Sequence, residues 1–273
     1  MKTIFFLSCL ALLSGPTLLS GQTVEGNRHS LGIHAGLSPY WVYDQAASPL
    51  LYFHQLYQLG LSYRAETPNQ LWDLRLQGGF GPSHALGVGE REVRFMERDA
   101  YGVTDTFNVP VRGQAIQGEL ALGWAYRIRP HLAVGVLLAD DLYYPQGFVT
   151  PGLANMAWLA PRVQWDLPIG KTSRLDVTAS TPIVAFVSRL PYHGSVSQPE
   201  KSALAGFFSQ NTTLNTLNRF QRLDLSVGYQ FQVSRKLTLG AEWSLIALQH
   251  TRMLDLRMIR HAFGIQLILK PTK

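Results

Sequence analysis

The sequence predicts an all-β fold, an antiparallel transmembrane β-barrel of ten strands, with twelve as the alternative. Three observations carry that expectation. Apolar and polar side chains alternate strictly through long segments, short turns and long loops alternate between those segments, and Trp and Tyr gather at both segment ends. The first is plainest between residues 219 and 269. Leu223, Leu225, Val227, Tyr229, Phe231 and Val233 interleave with Arg222, Asp224, Ser226, Gly228, Gln230 and Gln232. After Ser234-Arg235-Lys236 the pattern restarts, with Leu237, Leu239, Ala241, Trp243, Leu245 and Ala247 against Thr238, Gly240, Glu242 and Ser244. A β-strand sends alternate side chains to opposite faces, so one face is apolar and the other polar. Strands in soluble domains run about five or six residues. These run longer, as the roughly 9–11 residues of a membrane-crossing strand require. A soluble β-sandwich or lipocalin-like barrel is the competing reading.

The remaining strands follow in order. Residues 30–38 place Leu31, Ile33, Ala35 and Leu37 on one face. Strand two ends as Tyr57, Leu59, Leu61 and Tyr63, and strand three carries Trp72, Leu74 and Leu76. Strand four holds Leu120, Leu122, Trp124, Tyr126 and Ile128; strand five holds Leu132, Val134, Val136 and Leu138. Strand six has Leu159, Val163, Trp165 and Leu167, and strand seven has Leu175, Val177 and Ala179. Short turns follow strands two, four, six and eight, and longer loops follow the odd strands. That sorting matches the short periplasmic turns and long extracellular loops of membrane barrels, and a soluble sandwich has no reason to show it. Long loops are expected near 78–112 and 191–218. Within the first, 93–97 and 104–109 form either a hairpin above the membrane or two more wall strands.

Aromatic placement is independent of the alternation. Tyr63, Trp72, Tyr126, Trp165 and Phe231 lie beside the short turns. Tyr40, Trp41, Tyr43, Tyr52, Tyr143 and Tyr144 lie at the opposite ends, and two belts are expected where such rings meet lipid headgroups.

Residues 1–21 read as a secretory signal peptide: Lys2, an apolar core from Ile4 to Leu13, and Leu19-Ser20-Gly21 before Gln22. Residues 22–273 then form the barrel. The one cysteine, Cys9, lies in the signal, so the mature chain offers no disulfide and no thiol nucleophile. The mean hydropathy of +0.02 would suit a soluble protein, but a barrel hides in such averages because only alternate residues are apolar. The formal charge of +6 comes from dispersed basic residues, which argues against a nucleic-acid partner.

Gly264-Ile265-Gln266-Leu267-Ile268-Leu269 resembles the β-signal of bacterial outer-membrane proteins, a glycine followed by spaced apolar residues. The match is partial: Ala262 stands where a polar residue is usual, and Lys270-Pro271-Thr272-Lys273 follow in place of a terminal aromatic. The whole mature chain resembles the class of outer-membrane β-barrels, and within it an uncharacterised barrel of the Bacteroidota type. This implies residence in the bacterial outer membrane, contact with its lipid and lipopolysaccharide, and assembly machinery that recognises the C-terminal strand. A monomer with an unknown extracellular or periplasmic partner is expected.

The polar face contains Arg64, Asp73, Arg75, Gln77, Glu119, Arg127, Arg162, Gln164, Asp166, Asp176, Arg222, Asp224, Gln230 and Glu242. Charges of both signs in so narrow a barrel are expected to pair and occlude it. The leading expectation is therefore a non-enzymatic barrel acting through its extracellular loops in binding, adhesion or envelope assembly. A narrow pore for small solutes is the alternative. A rim hydrolase, omptin-like or lipid-modifying, is a further one, for which Asp140, Asp141, His193 and His250 are the candidate residues. No cofactor is expected, and no histidine spacing suggests a metal.

Overall fold

The computed structural model describes residues 28–46, 50–87, 92–98, 104–110, 113–146, 153–189, 200, 202–252 and 254–270. The expected signal peptide and His193 lie outside these. The wall is built from Arg28–Asp44 (β1), Leu51–Glu66 (β2), Gln70–Ala85 (β3), Gly113–Arg129 (β6), Leu132–Gln146 (β7), Ala154–Ile169 (β8), Ser173–Ser180 (β9), Phe220–Gln232 (β12), Leu237–His250 (β13) and Leu256–Leu269 (β14). Each pairs antiparallel with its neighbour, and β1 pairs with β14 from Leu31↔Leu269 to Asp44↔Leu256. The sheet therefore closes on itself as a ten-stranded barrel.

Among the described residues, Glu92–Arg98 (β4) and Thr104–Pro110 (β5) pair only with each other. They form the hairpin, and the twelve-strand alternative falls. Val184–Arg189 (β10) continues β9 along the same edge of β8 after a break at residues 181–183. Thr212–Thr216 (β11) pairs with β10, as β12 pairs with β9, across a break at 217–219. Two wall positions are thus split strands extended toward the long loops. Ala203–Asn211 (α1) precedes β11 and packs on β10 and β11, with the Ser202 hydroxyl accepting from the Ala205 amide.

The turns at 67–69, 130–131, 170–172 and 233–236 all lie at one end, and the longer connections lie at the other. Short turns mark the periplasmic end of such a barrel. Gly170 takes φ +71° in the third turn, a conformation that a side chain disfavours.

The outer face is an apolar band. Ile265 is 69% exposed and Leu59 66% exposed, with Leu31, Ile33, Leu61, Leu76, Leu120, Leu138 and Phe263 similarly bare. Such a surface is stable only against hydrocarbon, and there only a closed sheet satisfies its own backbone. The chain is an outer-membrane-type β-barrel. Tyr63, Trp72, Tyr126 and Phe231 are exposed on the periplasmic side of the band, as expected of a belt. On the other side, Trp41 packs near Phe53 and His261 on the outer face. Tyr40 and Tyr143 depart from expectation. Both are buried inside, because the strand parity of β1 and β7 turns them inward.

A cation on the middle of the band is costly and one near its edge is not. Leu59→Arg should destabilise the barrel by about 2–4 kcal/mol, and Gln55→Arg by less than about 1 kcal/mol, in urea titrations of lipid-refolded protein. Equal costs would place the band elsewhere.

Candidate functional site

The lumen is the candidate site, and its polarity changes along the barrel axis. On β13 the inward residues run Thr238, Glu242 and Ser244, then Ile246 and Leu248 toward the long-loop end. On β14 they run Gln266, Ala262 and Arg260, then Met258 and Leu256. On β1 they run His34 and Ser38, then Tyr40 and Val42. β8 and β12 show the same switch, so these strands are polar toward the periplasm and apolar toward the long loops, whereas β7 reverses it with Leu137 below and Asp141 and Tyr143 above.

In the polar half, charges pair across strands. Near the short turns, Arg64 meets Glu66 at 2.5 Å, and Arg127 bridges Glu66 and Asp166 at 3.2 Å each. Arg174 meets Asp176 at 3.0 Å. Deeper in, Arg162 meets Asp73 at 2.5 Å, and Glu119 is clamped by Arg75 at 2.6 Å and Arg260 at 3.1 Å. Gly123 makes room for the first of these pairs, since a Cβ there would lie 2.6 Å from Asp73 Oδ1 and collide with the Arg162 guanidinium. A cavity of 220 Å³ remains among Gln77, Glu119, Arg162, Asp224 and Glu242.

Arg222 marks the boundary between the halves. Its guanidinium pairs with Asp141, lies 2.7 Å from Asp224 and stacks 3.7 Å from the Trp158 ring centroid. Above it, Met156, Trp158, Val187, Phe220, Ile246 and Met258 are buried together. His54 lies within this layer, stacked 4.5 Å from the Tyr40 ring, and Tyr143 Oη is 3.0 Å from His54 Nε2. At the top, Arg189 of β10 pairs with Asp44 of β1 and donates to the Leu254 carbonyl at 2.7 Å.

The expected inward residues Arg64, Asp73, Arg75, Glu119, Arg127, Arg162, Asp166, Asp176, Arg222, Asp224 and Glu242 all join this interior. The expected ion pairs are present, and an apolar cluster accompanies them. Ion pairs concentrate in the polar half and recur at the top as Arg189–Asp44, and between them lies a buried apolar cluster in which His54 and Gln117 are also enclosed. Among the described rim residues, Asp140, Asp141 and His250 engage separate partners. Asp140 and Asp141 are consecutive on β7, so one faces out and the other in. Asp140 accepts from Asn155 Nδ2 at 2.7 Å, while Asp141 is committed to Arg222. His250 faces Arg189, with Nδ1 3.1 Å from Nη1.

Arg174 and Arg260 belong to the interior and could have been found by parity, counting back in twos from Asp176 and Gln266. Asp44 and Arg189 carried no such signal, because their segments lack alternation.

A scan of protein-family models gives no match, and a search of the curated proteins gives none. Among solved structures, the Escherichia coli outer-membrane protease OmpT is similar, with TM-score 0.47 and 9% identity over 93% of this chain and 99% of that one. The translocator domain of the Neisseria meningitidis autotransporter NalP gives TM-score 0.43 and 10% identity over 97% and 94%. Neisserial surface protein A gives 0.37 and 9% over 89% and 99%. None of these likenesses transfers an activity to this chain.

Removing one member of a buried pair strands the other. Arg222→Met should cost about 3–5 kcal/mol in a urea titration, and adding Asp141→Asn should return part of that. An equal or larger loss in the double variant would contradict the pairing.

Proposed function

We propose that the protein is a sealed, non-catalytic outer-membrane barrel that acts through its extracellular face, in binding, adhesion or envelope assembly. The observation that carries this reading is the apolar layer around Phe220, Met258 and Trp158. A conduit for small polar solutes needs a continuous wetted path, and this layer interrupts it. The lumen is then a scaffold that holds the wall rigid. What remains to meet a partner is the extracellular crown, which contains the β4–β5 hairpin and α1. Both are structured elements set on long connections, the usual place for binding on a rigid scaffold.

The absence of catalysis is part of the proposal, supported by the committed partners of Asp141 and His250. Outer-membrane lipid surrounds the band, the assembly machinery engages β14, and the chain works as a monomer.

Two measurements test this. The refolded barrel should be silent in planar bilayers, whereas Phe220→Ala combined with Met258→Ala should open discrete conductance steps. Steady openings from the unaltered chain would replace this reading with passive transport. Cells displaying a barrel with residues 88–112 exchanged for a Gly-Ser linker should lose adhesion relative to cells displaying the intact protein. Equal adhesion would remove that loop from the proposal.

A further inference from the structure

The periplasmic mouth of the barrel is a vestibule of 520 Å³, within the roughly 300–1,000 Å³ range of small-molecule sites. Its charges do not balance. Arg64, Arg127 and Arg174 are neutralised by Glu66, Asp166 and Asp176. Four more cations line the same space: Arg28 at the start of β1, Lys171 in the 170–172 turn, Arg235 in the 233–236 turn and Lys270 after β14. No ion pair among the described residues engages any of them. They come from strands adjacent in the barrel, so they form one arc of its rim.

A second observation is independent of charge. Thr238 of β13 lines the vestibule, is 2% exposed, and its hydroxyl has no hydrogen-bond partner among the described residues. A buried donor of this kind calls for a partner from solution. The four cations and this hydroxyl converge on the same space.

We propose that this vestibule binds a small polyanion bearing phosphate or several carboxylate groups. Arginine offers a forked donor that such oxygens match in pairs, and lysine offers a point charge. The fold holds like charges together that repel in an empty mouth, and an anion removes that repulsion. Burial and the nearby charges of Arg174 and Arg28 push the Lys270 ammonium below the ordinary lysine range, which fits a site short of negative charge. The ligand is soluble or is the headgroup of an anionic lipid, and the phosphate chemistry is common to both.

The test is isothermal titration calorimetry of sodium tripolyphosphate into the mature barrel in phosphatidylcholine nanodiscs. Saturable binding is expected, weakening with added salt. Affinity should fall by about tenfold or more in the Lys171→Gln, Arg235→Gln, Lys270→Gln variant. Heat-modifiable migration verifies that this variant folds, and Arg235→Gln alone serves if it does not. Competition from phosphatidylglycerol in the discs would place the same site's ligand on a lipid headgroup; its absence would make the ligand soluble. No saturable binding, or an affinity unchanged in the folded variant, would overturn the proposal.

Discussion

Lipid offers no hydrogen bonds, so every backbone amide and carbonyl in the band must find its partner within the sheet. The β1–β14 ladder meets that demand for the last open edge, since without it both terminal strands would present bare backbone to hydrocarbon. Closure with ten strands then fixes a narrow lumen, only somewhat wider than one filled by side chains alone. Much else follows from that width. Charged side chains placed inside have little water, so they stand within reach of opposite charges, as Glu119 does between Arg75 and Arg260. Glycine is needed where two charges meet in front of a neighbouring strand, as at Gly123.

The same narrowness makes sealing simple. At the inward positions nearer the long loops, Phe220, Met258, Leu256 and Val42 stand in place of polar residues and are buried in one apolar cluster. Arg222 ends the polar half by pairing with two carboxylates and stacking on Trp158, so the charge is satisfied at the edge of the apolar layer. The molecule is therefore asymmetric along its axis. It is charged toward the periplasm, carries a buried apolar cluster in the extracellular half, and is crowned by the β4–β5 hairpin and α1. A binding role fits the crown, and a separate anion site fits the cationic mouth.

The wall was legible because alternation leaves a mark wherever the two faces differ. Leu223 to Val233 against Arg222 to Gln232 is such a mark, and it located the inward charges residue by residue. The apolar cluster was not legible for the same reason. Where the lumen is apolar both faces are apolar, as at Tyr40-Trp41-Val42-Tyr43, and the period vanishes. Strand one therefore reads as 30–38 although β1 runs to Asp44. Tyr40 and Tyr143 then looked like belt residues when parity carries them inside. The split of β9 from β10 and of β11 from β12 depends on cross-strand register, which no local pattern encodes.

A blind lumen, open to the periplasm and closed toward the outside, is the centre of this account. The absence of cysteine after Cys9 allows it to be probed one position at a time. A cysteine introduced as Ser244→Cys lies in the polar half, below Ile246. With the barrel inserted unidirectionally in vesicles, a charged methanethiosulfonate reagent should label it from the periplasmic side and leave it untouched from the extracellular side. Equal labelling from both sides would show a continuous path and contradict the seal.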